Sequence, residues 1–181
     1  MRRGTLAIAV TPQPELEQMF FHTVLVSATL LCSLVAGFLF AFAVVAMPGI
    51  SRLNDRSFVR AFQVIDGVIQ ENQPIFMFVW VGSVAAIVVA AVIGFSQIDG
   101  ANRAILIAAA VVYLLGVQLP TVRINIPLNN KIQATDVEQK DDQELLVARG
   151  EFEDKWNRWN VFRTVVSIAI ALSLHVLLLR I

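Results

Sequence analysis

The chain has 181 residues, of which 57% are hydrophobic and only 15% charged, against roughly 25% charged in an average soluble domain. Its 14 basic and 14 acidic side chains cancel, which excludes a basic nucleic-acid surface and an acidic disordered tail. One cysteine, Cys32, excludes an intramolecular disulfide framework and, with two histidines, a Cys/His zinc cluster; the mean hydropathy of +0.70 makes membrane lipid the partner to expect.

Met1-Arg2-Arg3 precedes an apolar stretch, Leu6 to Val10, that is shorter than a signal-peptide core, so residues 1–18 are expected as an uncleaved tail. No Asp, Glu, Lys or Arg occurs between Glu17 and Arg52, which predicts a first span over 21–47, closed by Met47-Pro48-Gly49. In the connection 51–71, Phe58, Phe62, Ile65 and Ile69 recur at helical spacing, with Arg52, Arg56, Arg60 and Asp66 elsewhere on the wheel. That pattern predicts an amphipathic interfacial helix. A second span is predicted over 74–97, with Pro74 at its start and Gly94 near its end. A third, over 103–123, follows a turn at Gly100 so short that the two must form an antiparallel hairpin.

A polar connection, 124–158, comes next. Pro127 cannot donate a backbone hydrogen bond and biases Ile126 away from helix, so Asn125-Ile126-Pro127-Leu128-Asn129 reads as a break with free polar groups. Leu145, Ala148, Phe152, Trp156 and Trp159 then repeat at helical spacing, with Glu151–Lys155 and Asp154–Arg158 as supporting pairs. A long helix should therefore start near Asp141 and lead into a fourth span, 159–180. The expected fold is all-α, a single integral-membrane four-helix bundle with an interfacial helix between spans one and two. Small residues every fourth position (Thr29, Ser33, Gly37 and Ala41; Gly82, Ala86, Ala90 and Gly94) predict close packing within the chain or in a homo-oligomer.

Orientation follows from the cations near span ends. Arg2, Arg3, Arg103 and Arg180 lie on one side; Arg52, Arg56, Arg60, Arg123, Lys131, Lys140, Arg149, Lys155, Arg158 and Arg163 lie on the other. Both connections, 51–71 and 124–158, are therefore expected in the cytoplasm and both termini outside, across the inner or plasma membrane.

The polar residues gather on that cytoplasmic side. Met47 ends span one, Arg123, Asn125 and Asn129 follow span three, and Trp156, Trp159, Asn160 and Arg163 open span four as one stripe. An arginine within the bilayer costs ~2.5–3.5 kcal/mol at its centre, so Arg163 needs a reason to be there. In one reading it is a planar donor for an anionic ligand oxygen, oriented by Asn125, Asn129 and Asn160 beside the tryptophans. In the other it caps carbonyls freed at Pro127, and the tryptophans are an interfacial belt.

Asn125-Ile126-Pro127-Leu128-Asn129 after a helix, the stripe Trp156, Trp159, Asn160, Arg163, and Met47-Pro48-Gly49 closing the first span together resemble the anthrone oxygenase family of small bacterial and fungal membrane proteins. The likeness runs from about His22 to Leu179. It implies a four-helix membrane fold and, for fungal polyketide-pathway members, conversion of an anthrone to an anthraquinone with O2; many bacterial members have no assigned substrate. An anthrone's acidic methylene ionises to a delocalised aryloxide that can pass an electron to oxygen with no cofactor, neither metal nor flavin. Such chemistry asks for donors at the oxyanion, as Arg163, Asn125, Asn129 and Asn160 would be, and for a flat slot that binds a small aromatic or polyketide-like substrate. Trp156 and Trp159, with Met47 and Arg123 beside them, are the expected substrate-binding residues. Asp66 and Glu153 are candidates for a general base by position alone.

A second reading is a non-enzymatic subunit that docks a partner through the Phe58–Ile69 face and the acidic stretch Asp136–Glu144. Transport is a weaker third, since no broken helix falls at mid-bilayer. His22 and His175 lie at the far side and read as interfacial residues rather than haem ligands, and Cys32 as a small buried apolar side chain.

Overall fold

A computed structural model describes residues 13–181; residues 1–12 of the expected tail lie outside the described residues, and its remainder, 13–18, is instead the start of the first helix. Five helices follow one another: α1 Gln13–Ile50, α2 Asp55–Gln70, α3 Pro74–Gln97, α4 Gly100–Gln133 and α5 Asp142–Arg180. All but α2 are long and apolar enough to cross a membrane, and in lipid a helix satisfies its own backbone groups. The molecule is an all-helical membrane four-helix bundle with α2 set against one end. Large apolar side chains such as Phe78, Val92, Val165 and Leu172 are exposed around its waist, as a lipid-facing surface requires.

The helix ends follow the sequence. Asp141 caps α5 in a reciprocal capping box with Glu144, and Asn54 caps α2 by accepting from the Ser57 amide. Only Ile98 and Asp99 separate α3 from α4, and Gly100 takes the left-handed conformation (φ +50°) that this tight reversal needs.

The expected break at Pro127 does not occur. Beyond the first-turn Pro14, each proline inside α1 and α4 is preceded by one wide π-helical turn: Phe42–Ala46 before Pro48, Leu114–Gln118 before Pro120, and Thr121–Asn125 before Pro127. A proline lacks the N–H and its ring meets the carbonyl four residues back; widening the preceding turn relieves both without ending the helix. The helix of the third span therefore continues past 123 to Gln133, and most of the polar connection is helical. The ion pairs also differ from expectation. Lys131, brought close by this extension, takes Glu151, and Arg149 pairs with Glu153.

Two apolar clusters stack along the bundle. The larger joins Phe21, Leu25, Ile87, Leu106, Tyr113 and Leu174 of the spans. The smaller joins Met47, Phe58, Val59, Phe62, Ile132, Leu145, Phe152 and Trp156, so α2 lays its apolar face on α5 and on the end of α4. Arg149 fixes this arrangement, donating to the carbonyls of Ser51 and Leu53 at 2.8 and 2.9 Å and pairing with Asp55 at 3.0 Å over the Phe58 ring. Gln63 holds the end of α4 by donating to the carbonyls of Ile132 (2.9 Å) and Thr135 (2.8 Å).

The close approach at Gly94 is specific. A Cβ there would meet Leu106 Cδ2 at 2.6 Å and Phe21 Cε2 at 2.9 Å, whereas at Gly37 nothing lies within 4 Å. Gly94→Val should therefore cost roughly 1–3 kcal/mol through overpacking, and Gly37→Ala should be neutral or slightly stabilising. Thermal unfolding in detergent checks both; equal melting of the two variants would contradict the packing described.

Candidate functional site

A cavity of about 200 Å³ lies where the two clusters meet, and all five helices border it. One wall is aromatic. Phe38 and Phe42 of α1 lie one helical turn apart with ring centroids at 4.9 Å, and Phe38 faces Phe76 of α3 at 5.1 Å. Phe76 stacks on Trp80 at 5.5 Å, and Trp156 of α5 meets both Phe42 and Phe62 at 5.7 Å. Leu39, Ile69, Met77 and Ile126 complete the apolar lining.

The other wall is polar. Arg163 is only 3% exposed and has no ion-pair partner among the described residues. Its Nη1 donates to Thr121 Oγ1 at 2.7 Å and its Nη2 to Asn160 Oδ1 at 3.1 Å. Asn160 is held in turn by donating to the Leu39 carbonyl at 3.2 Å, and the Thr121 hydroxyl by donating to the Val117 carbonyl at 2.7 Å. Four buried side-chain atoms among the described residues have no partner, and two of them belong to residues that border this cavity: Arg163 Nε, a donor, and Asn125 Oδ1, an acceptor; the others are Asn102 Oδ1 and Gln118 Nε2. Buried polar groups are almost always paired, so two unpartnered atoms on residues that border one cavity make it the candidate ligand site. An unpaired cation in a low-dielectric site attracts a negative oxygen far more strongly than it would in water. The alternative of Arg163 capping carbonyls freed at Pro127 fails, since its bonds go to side chains and the helix is unbroken there.

A second polar chain runs along the cavity floor. Trp156 Nε1 donates to Asn129 Oδ1 at 2.7 Å, and Asn129 Nδ2 donates to Asp66 Oδ1 at 2.7 Å. Asp66 Oδ2 accepts from Gln133 at 3.0 Å and Gln70 at 3.2 Å. Asp66 is 3% exposed and lies on the buried stripe of α2, not with the arginines as the wheel suggested. The steps Phe58, Phe62, Asp66 are each four residues, which keeps them on one face.

Asn125, Asn129, Asn160, Arg163 and Trp156 all border this cavity. Met47, Arg123 and Trp159 do not. Trp159 is adjacent in sequence to Asn160, hence about 100° around the helix from it, and packs on Phe162 at the bundle's outer surface. Arg123 lies two residues from both Thr121 and Asn125 and is exposed on the opposite side. Met47 is sealed within the smaller cluster, and Glu153 is taken by Arg149. Sequence reasoning missed Thr121, Phe38, Phe42, Phe76 and Trp80; the i,i+4 aromatic pairs Phe38–Phe42 and Phe76–Trp80 were the available signal.

The anthrone oxygenase family model matches residues 76–173, just over half the chain and the segment that carries Phe76, Trp80, Thr121, Asn125, Trp156, Asn160 and Arg163. The chain belongs to the anthrone oxygenase family. The match is narrower than the resemblance read from the sequence, and leaves α1 and α2 of this anthrone oxygenase family member outside it. No curated protein and no solved structure matches the chain.

Proposed function

We propose that the cavity binds a flat phenolic or ketone substrate of the anthrone type and that the protein oxygenates it with O2. The observation that carries this reading is the orphaned donor of Arg163 and acceptor of Asn125 at the edge of an aromatic-walled, mainly apolar cavity. An anthrone methylene becoming a ketone takes up one O2 and releases one water. The ring system itself delocalises the charge and supplies the electrons, so the protein's task is to desolvate the ketone, hold it flat and stabilise the oxyanion. Arg163, fixed by Thr121 and Asn160, presents its Nε–H without having to reorganise, which is the condition under which such donors act best. Asn129 holds Trp156 in the slot, and Asn125 offers its oxygen to a substrate hydroxyl.

A docking subunit has less support. Phe58 and Phe62 are buried within the chain, and Glu138 and Asp142 of the acidic stretch are engaged by Arg60 and Arg56. Oxygen consumption by the purified protein with a panel of anthrones and simple phenols tests the proposal. Uptake above that of protein-free micelles, for anthrones in particular, is expected; uptake at the micelle rate across the whole panel defeats it.

The cavity end of the bundle is proposed to face the cytoplasm, because the Lys and Arg side chains concentrate there. Single cysteines at the exposed positions Asn54 and Gln139, in a Cys32→Ala background, should be shielded from an impermeant thiol reagent in intact cells. Ready labelling of both would invert the topology.

A further inference from the structure

We propose that Asp66 is the proton acceptor of this site; the assignment rests on the reading of the cavity as an anthrone-type site. Asp66 is a carboxylate buried at the cavity wall, outside the family-matched segment, and it has no ion-pair partner among the described residues. Its oxygens are held instead by neutral amides, Asn129 on Oδ1 and Gln70 and Gln133 on Oδ2. Amide donors fix its orientation without supplying a counter-charge, so no cation stands between the carboxylate and the cavity. Glu153, the other carboxylate near the tryptophans, is neutralised by Arg149 and does not border the cavity.

Asp66 of α2 and Arg163 of α5 border one cavity without pairing, which is the division of labour needed to enolise a ketone. A carboxylate can take a proton from carbon when separate donors hold the oxygen on which the charge appears. The Asp66 carboxylate removes one methylene proton, and the C–H electron pair enters the rings, placing the charge on the ketone oxygen beside Arg163. O2 accepts an electron from this anion, and the pair recombines at carbon as a peroxide anion, which takes the proton back from Asp66. The hydroperoxide then loses its terminal OH with the remaining hydrogen on carbon as water, leaving the new carbonyl. Atoms balance as one methylene and one O2 giving one ketone and one water.

Turnover of anthrone, unlabelled and deuterated at the methylene, separates a base from an anchor between α2 and α4. Wild-type protein should turn over the deuterated substrate more slowly. Asp66→Ala should lose ~10²–10⁴-fold in kcat with a far smaller change in KM, and added formate should restore turnover in proportion to its concentration. Asp66→Glu keeps the charge and the acceptors but advances the carboxylate by one methylene, so it should insert normally and still lose kcat. Asp66→Ala turning over near the wild-type rate, a well-inserted Asp66→Ala that formate does not restore, or Asp66→Glu at full rate would overturn the assignment while leaving the oxygenase reading intact. Wild-type protein that oxidises no anthrone defeats both together.

Discussion

Arg163→Lys should lower turnover of an anthrone by ~10²- to 10³-fold, the usual cost of losing one preorganised oxyanion donor, while the protein accumulates in the membrane at the wild-type level. Lysine keeps the positive charge and the long apolar stem, so a residue that only sets topology would tolerate the change. It lacks the planar fork. Nη1 and Nη2 are committed to Thr121 and Asn160, which leaves Nε–H as the one uncommitted edge of the guanidinium and, in the proposed reading, the donor to the oxyanion. An ammonium group satisfied by Thr121 and Asn160 has no fixed third direction. Turnover and membrane protein level, measured on the same preparations, decide the matter. Wild-type turnover by Arg163→Lys would contradict the oxyanion role, and loss of the protein itself would reduce Arg163 to a structural tie.

The second large effect is expected at Trp156. Its ring touches Phe42, Phe62 and Phe152, and its Nε1 donates to Asn129, so it joins the smaller apolar cluster to the cavity floor. Trp156→Ala should cost ~3–5 kcal/mol, as large-to-small changes in a packed core do, and read out as a lowered melting temperature in detergent. Trp156→Phe keeps most of the packing and removes only the donor. It frees Asn129 Oδ1, loosens the amide that orients Asp66, and should depress turnover with a much smaller change in melting. Equal melting of the alanine variant and wild type would show that the ring is not part of the core.

The spans were legible because an uncharged run of about 20 residues has few other uses. The long α5 was legible too, through its capping residue Asp141 and its apolar repeat. The course of the chain around Pro127 was not. Local rules treat an interior proline as a stop, and nothing in its neighbours announces that one wide turn will absorb it. Of the residues that border the cavity, Asn125, Asn160 and Arg163 were legible because polar groups at membrane depth stand out. Asp66 was misplaced because it was grouped with Arg56 and Arg60 by polarity, when its four-residue step from Phe62 puts it on the apolar face. Trp159 failed for the reverse reason, being grouped with Trp156 by type although its angle on the helix differs. Phe38, Phe42, Phe76 and Trp80 were hidden within generally apolar spans, where only tertiary packing reveals which aromatic rings face inward.

Isotope tracing tests the central claim most directly. Purified wild-type protein is supplied with anthrone under ¹⁸O2 in unlabelled water, and the ketone product is weighed by mass spectrometry before carbonyl exchange sets in. One ¹⁸O atom at the former methylene carbon, formed faster than in protein-free micelles and lost in Arg163→Lys, is the predicted result. Product formed no faster than in micelles, or carrying oxygen from water, would contradict it.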